Sequence, residues 1–148
     1  MKIAVLGYGT VGSGVVEVLD VNQKLIATRA KEEIEVKYVL DLRDFPGDKI
    51  QEKIVHDYEI ILNDPEIGIV VEVMGGVEPA NTFVRKALEA GKSVVTSNKA
   101  LVAKHGSALL KTAREKNVNF LFEASVGGGI PILRALGSSL TGDEIEEI

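Results

Sequence analysis

The chain has 148 residues, with 17 Lys+Arg against 22 Asp+Glu and a formal charge of −5. That balance leaves no basic surplus to neutralise a phosphate backbone, so no nucleic-acid partner is expected. The absence of cysteine removes disulfides, thiolate nucleophiles and Cys-ligated metal or iron–sulfur sites, and two His are too few for most His-rich sites. With 45% hydrophobic and 26% charged residues, the composition is that of one folded domain able to bury roughly 70% of its unfolded surface. No apolar run approaches the roughly 20 residues of a membrane span, so no membrane partner is expected. The N-terminal apolar run meets Gly7 with no small-residue cleavage site, so a cytoplasmic location is expected.

Helical and strand patterns alternate along the chain. Lys2–Leu6 is a short apolar run and reads as a buried strand. Val11, Val15, Val18 and Leu19 follow at helical spacing, and the mixed-charge residues 22–33 read as the end of that helix and a return loop. Residues 34–42 are rich in β-branched and aromatic types, as a second strand requires. Residues 45–48, Phe-Pro-Gly-Asp, form a turn. A short strand at 54–56, a short helix at 57–63 and a strongly apolar strand at 67–74 come next, closed by Gly75 and Gly76. Residues 79–90 form an amphipathic helix with Gly91 at its C-cap. A strand at 93–96, a helix at 101–116 interrupted at Gly106, a strand at 119–122 and a helix opened by Pro131 complete the pattern. Recurrent strand-then-helix units predict an α/β fold with a doubly wound parallel sheet, and the whole chain, 1–148, as one domain.

Gly7, Gly9 and Gly12 have G-x-G-x-x-G spacing between the first strand and the first helix. The first glycine permits the tight turn, the second lets the backbone approach a pyrophosphate, and the third lets the helix pack on the strand. Thr10 and Val11 belong to the helix N-terminus, whose free N–H groups and partial positive charge suit an anion. This context makes the segment a dinucleotide-binding loop rather than a packing turn. The cofactor is chosen at the end of the second strand. There Asp41 would accept hydrogen bonds from the ribose of NAD, while Arg43 would pair with the 2′-phosphate of NADP. A continuing strand would put both on one face. The two signals conflict, and the reading leans to NADP or to dual use. Asp41 lies further past Gly12 than the usual distance of about 20 residues.

Three further segments sit at strand ends, where open α/β sheets bind ligands. They are Val-Glu-Val-Met-Gly-Gly at 71–76, Val-Thr-Ser-Asn-Lys-Ala-Leu at 95–101 and Phe-Glu-Ala-Ser-Val-Gly-Gly-Gly-Ile-Pro at 122–131. Met74 and Gly75 are expected to line the cofactor crevice. Glu72, inside an apolar strand, is costly to bury without partners and is read as a structural carboxylate bonded to backbone N–H groups of a nearby loop. Three consecutive glycines at 127–129 free the backbone to turn carbonyl oxygens inward, a donor type that suits a hard cation. His56 and His105 have no ligand-like spacing and read as ordinary surface residues.

With the glycine loop, these segments resemble the homoserine dehydrogenase family over essentially the whole chain, in its Rossmann-like NAD(P)-binding domain. The resemblance implies reversible NAD(P)-dependent reduction of L-aspartate 4-semialdehyde to L-homoserine, a step toward threonine, methionine and isoleucine. It implies that Lys99 is catalytic, one of two lysines about the reacting oxygen, able to donate a proton or stabilise the forming alkoxide. Thr96 and Ser97 would support the nicotinamide side by analogy, beside Lys99. The resemblance also implies a sodium-type site at Glu123, Val126, Gly128 and Ile130, chiefly through main-chain oxygens.

The match begins at Met1 with no kinase-like region before it, which suggests a monofunctional type. The family pattern continues beyond Ile148 into a substrate domain carrying the second lysine and most of a homodimer interface, with residues 143–148 as a lead-in strand. On this reading the chain is the cofactor-binding part and is inactive alone. A stand-alone NAD(P)-binding module, such as a redox-sensing subunit, would have no use for Lys99 or the triple glycine. Another semialdehyde or imine reductase, of dihydrodipicolinate-reductase type, is the enzymatic alternative.

Overall fold

The computed structural model describes residues 1–139. The lead-in strand expected at 143–148 lies outside the described residues. Six parallel strands form one sheet: β1 (Lys2–Leu6), β2 (Glu35–Leu40), β3 (Ile54–Val55), β4 (Ile67–Glu72), β5 (Ser93–Thr96) and β6 (Phe120–Leu121). Their spatial order is β3-β2-β1-β4-β5-β6, so the winding reverses between β1 and β4. That reversal opens a crevice at the carboxyl ends of the two central strands. The register sets Leu6 opposite Leu40 on one side and Glu72 on the other, and Glu72 opposite Thr96.

Strand pleating divides the apolar side chains between two faces. Ala4, Leu6 and Val70 pack with α3 (Tyr58–Leu62), α4 (Ala80–Glu89) and α5 (Lys99–Glu115) through Ile61, Val84, Leu88 and Leu101. Ile3, Val5 and Val39 face the other way, against Val15, Val16 and Leu19 of α1 (Thr10–Val21). Residues from both faces of β1 are buried, which explains why its sequence is a continuous apolar run.

The structure corrects several expectations. The loop expected at 22–33 contains a further helix, α2 (Gln23–Ala30), which buries no residue and therefore shows no apolar stripe. Helix α5 runs unbroken through Gly106, a buried position where a Cβ would lie 3.3 Å from Val102 Cγ1. The glycine serves close packing there, not termination. A 3-10 turn, Lys49–Lys53, fills the β2–β3 connection, with Asp48 accepting from the Ile50 N–H. The strands expected to reach Leu42 and Met74 stop at Leu40 and Glu72, so Asp41, Val73 and Met74 lie in loops. After β6 comes a helical turn, α6 (Glu123–Val126), and then α7 (Leu133–Ser139), with Pro131 just before it.

Candidate dinucleotide-binding site

The glycine loop is shaped by three separate constraints. Gly7 has φ 100°, in the left-handed region, and a Cβ there would stand 3.2 Å from Met74 Cα. Its N–H donates to the Leu40 carbonyl at 2.8 Å, so the turn begins directly from the sheet. A Cβ on Gly12 would lie 1.9 Å from the Gly7 carbonyl oxygen, so only glycine lets α1 sit this close. Gly9 differs: a Cβ there would meet no atom within 4 Å. Its backbone faces open space at the N-cap of α1, with no side-chain acceptor capping the helix. Thr10 and Val11 are exposed beside it. The first-turn N–H groups point outward without intrahelical partners, which is the geometry that receives phosphate oxygens.

At the end of β2 the structure changes the expected relationship between Asp41 and Arg43. They do not project in parallel from a continuing strand; they are bonded to each other. Arg43 Nε donates to Asp41 Oδ1 and Nη2 to Oδ2, each at 3.0 Å. Asp41 Oδ2 also accepts from the Tyr8 N–H of the glycine loop at 2.9 Å. Arg43 Nη2 reaches the Tyr8 carbonyl at 3.2 Å, and its guanidinium lies 5.1 Å from the Phe45 ring centre. The Arg43 guanidinium, with backbone N–H groups of Arg43 and Tyr8, holds the Asp41 carboxyl well below the usual carboxylate range. His56 closes the cluster, with Nδ1 2.7 Å from the Asp41 carbonyl and Nε2 3.2 Å from Asp44 Oδ1. Sequence reasoning missed His56 here because its partners come from another strand end.

The ends of β4 and β5 form the other half of the crevice. Gly75 and Gly76 adopt φ 81° and 73°, turning the chain back after Met74. Glu72 is fully buried and accepts from the Met74 N–H at 2.9 Å, as the structural reading expected. Thr96 is also buried, and its hydroxyl donates inward to Glu72 Oε2 at 2.5 Å. Asn98 caps α5 by accepting from the Leu101 N–H at 3.0 Å. An Asn just before a helix is an N-cap signal that the sequence reading passed over. Ser97 is half-buried, and its N–H donates to the Glu72 carbonyl. Lys99, the first residue of α5, is exposed.

The 123–130 segment is less open than a glycine turn. The Glu123 carboxylate accepts from the N–H groups of Ile132, Leu133 and Arg134 at 2.6, 2.8 and 2.8 Å, tying α6 to the start of α7. Desolvation raises its pKa, and these three donors outweigh that and bring it below the usual value. A Cβ on Gly127 would lie 2.4 Å from the Ile130 carbonyl oxygen, so the chain folds tightly back on itself. Val126, Gly128 and Ile130 are exposed. Among the described residues no group of three or more His, Cys, Asp or Glu could hold a metal ion. A cation here would depend on main-chain oxygens.

A separate groove of about 630 Å³ lies between α1, the start of β2 and the 3-10 turn, lined by Val16, Asp20, Glu35, Asp48 and Lys53 among others. It opens beside the 3-10 turn that joins β2 to β3. Tyr8 of the glycine loop and Ser13 of α1 line it, but neither Gly9 nor Lys99 does.

Among the described residues no helix is long and apolar enough to cross a membrane. Residues 7–123 match the family model of the homoserine dehydrogenase NAD-binding domain. A homoserine dehydrogenase of Lactococcus lactis subsp. lactis is 43% identical over 157 residues, covering 100% of this chain and 36% of the relative. The crystal structure of a homoserine dehydrogenase from Thiobacillus denitrificans superposes with a TM-score of 0.88 at 41% identity, over 97% of this chain and 34% of that one. A hyperthermophilic archaeal homoserine dehydrogenase in complex with NADPH gives a TM-score of 0.74 at 26% identity, over 92% and 48%. The chain thus spans about a third of the length of the Lactococcus relative it matches. The glycine loop, the strand order and these likenesses agree: the chain belongs to the homoserine dehydrogenase family and corresponds to its nicotinamide-dinucleotide-binding domain.

Proposed function

We propose that residues 1–148 form the cofactor-binding domain of a cytoplasmic enzyme that interconverts L-aspartate 4-semialdehyde and L-homoserine. The observation that carries this reading is the glycine loop. Gly12 is sterically obligatory, Gly9 is open to a ligand, and the loop is bonded to the acidic residue at the end of β2. These features fit a dinucleotide lying over the carboxyl edge of the sheet. Gly9, Thr10, Val11 and Gly12 hold the pyrophosphate through backbone N–H groups, and Gly7, whose own N–H is bonded to Leu40, supplies the turn that brings them to it. Asp41 takes a ribose hydroxyl, or Arg43 turns to a 2′-phosphate. The exposed guanidinium favours NADP, and a relative bound to NADPH agrees. Met74, Gly75 and Ser97 border the nicotinamide, and Thr96 supports them from beneath.

When bound, the cofactor supplies the hydride. Lys99 holds a proton beside the carbonyl oxygen of the semialdehyde and stabilises the alkoxide formed on reduction. In the reverse direction it receives the hydroxyl proton. Glu123, Val126, Gly128 and Ile130 would hold a sodium ion, chiefly through main-chain oxygens. We assign substrate binding and homodimerisation of the full enzyme to a part outside this cofactor-binding domain. The chain alone therefore binds dinucleotide but turns over no substrate. Fluorescence titration with NADPH and NADH tests the first statement. Incubation with NADPH and aspartate semialdehyde tests the second: no oxidation is expected, and a rate like that of a full-length relative would overturn it.

A further inference from the structure

We propose that Glu72 is a positioning residue for the nicotinamide half of the crevice, acting through a buried clamp with Thr96 and Asn98. The inference rests on the dinucleotide reading above and adds to it a residue that touches no ligand.

Glu72 is the last residue of central strand β4, in register with Leu6 of β1 and Thr96 of β5. It is 0% exposed. Its Oε1 accepts from the Met74 N–H at 2.9 Å and from Asn98 Nδ2 at 3.4 Å, and its Oε2 accepts from the Thr96 hydroxyl at 2.5 Å. The Thr96 oxygen in turn accepts from the Asn98 N–H at 3.0 Å. Asn98 Nδ2 also donates to the Gly76 carbonyl at 2.5 Å, while its Oδ1 caps α5 at Leu101 N–H. One carboxyl group therefore joins two loops: Met74–Gly76 after β4, and 97–98 between β5 and α5.

Stability alone is a poor account of this arrangement. Among the described residues no salt bridge reaches Glu72, so its buried carboxyl group is held by neutral donors only. Burying a carboxyl group is expensive, and apolar residues in place of Glu72 and its side-chain partners together would fill the space at lower cost. A carboxylate does what an apolar side chain cannot: it fixes direction. Gly75 and Gly76 both have left-handed φ and no side chain to anchor them. Their path is held by Met74 N–H on Glu72 and by Gly76 O on Asn98. The same Asn98 fixes the first turn of α5, and with it Lys99. The clamp thus sets the spacing between the glycine wall of the crevice and the lysine, and bond networks of this kind rigidify both ends together.

The test separates the two halves of the cofactor. The chain and its Glu72→Gln variant are titrated with NADPH and with adenosine 2′,5′-bisphosphate, which has no nicotinamide. The variant keeps the volume but replaces one acceptor oxygen with a donor. NADPH affinity is expected to fall about tenfold and bisphosphate affinity to change less than twofold, with amide shifts at Gly75, Gly76 and Lys99. Equal losses for both ligands, or no loss for either, would overturn the clamp and leave Glu72 a structural residue. Wild-type chain that binds neither ligand would instead overturn the dinucleotide reading, and the clamp with it. If Glu72→Gln does not fold, Asn98→Ser decides. Serine still caps α5 but cannot span to Gly76, so the same split between ligands is expected, and its absence contradicts the proposal.

Discussion

Asp41 and Arg43 neutralise each other at the carboxyl end of β2, through two parallel bonds of 3.0 Å. The pair is anchored to the glycine loop by the Tyr8 N–H on Asp41 and by Arg43 on the Tyr8 carbonyl. A ribose 2′-phosphate must therefore draw Arg43 partly away from a carboxylate, while a plain ribose must share Asp41 with the guanidinium. Both cofactors meet a competitor, and the competitor is the same ion pair.

Replacing Arg43 with alanine consequently separates the two cofactors. NADPH loses a charge-assisted contact of about 1.5–3 kcal/mol, or roughly ten- to a hundredfold in affinity. NADH keeps Asp41 and is expected to change less than about threefold. Titration of both against the variant checks this, and equal loss for both rejects the phosphate role.

Two glycines of one motif are expected to fail differently. Gly12→Ala places a methyl group 1.9 Å from a backbone oxygen, so α1 must move, at about 1–3 kcal/mol of stability. Gly9→Ala meets no protein atom and changes stability by less than about 0.5 kcal/mol. The Gly9 methyl occupies the space given to phosphate, so it abolishes dinucleotide binding with the fold intact. Urea unfolding beside NADPH titration distinguishes the two outcomes. A Gly9→Ala variant with normal affinity would move the cofactor elsewhere.

His56 links this corner to pH. Its hydrogen bond to the Asp41 carbonyl, aided by Asp44, raises its pKa above the ordinary 6.5. A raised folded-state pKa means the contribution to stability is complete below about 6.5 and is lost as pH rises through the folded value. NMR titration of the imidazole in wild type and Asp44→Asn checks this. The wild type titrates above 6.5 and the variant lower; a wild-type value below 6.5 contradicts the contact.

Glu123 has the opposite sign. Its folded pKa is lowered by backbone donors acting against desolvation. The tie between α6 and α7 is therefore intact above the ordinary glutamate value, about 4.3, and is lost as pH falls through the folded value. In Glu123→Gln, amide exchange at Ile132, Leu133 and Arg134 should quicken while Gly7–Gly12 amides stay unchanged. Protection of amides at 126–130 by sodium over potassium would support the cation role, and no difference between them would remove it.

The parts readable from the sequence are those where residue type dictates backbone. Gly7 and Gly12 belong to this class, because no other residue fits their angles or their contacts. Strands β1 and β4 were readable as strands for a similar reason: a strand covered on both faces is an almost continuous apolar run. Helix α2 was not, since it buries nothing and its sequence carries no stripe. Gly106 was misread because a packing glycine and a terminating glycine are identical on paper; only the nearby Val102 distinguishes them. The Asp41–Arg43 pair could not be seen because it depends on β2 stopping at Leu40. Thr96 matched a family motif, yet its hydroxyl is turned away from the crevice toward Glu72. The link from Glu123 to α7 spans residues whose spacing carries no local signal.

The most direct test of the account is amide chemical-shift mapping of the chain with NADPH. Perturbations are predicted at Gly7, Gly9, Thr10 and Gly12, at Asp41 and Arg43, and at Gly75, Ser97 and Lys99, along one edge of the sheet. Perturbations confined to the groove of Val16, Asp20, Glu35 and Lys53, with Gly9 and Lys99 silent, would contradict it.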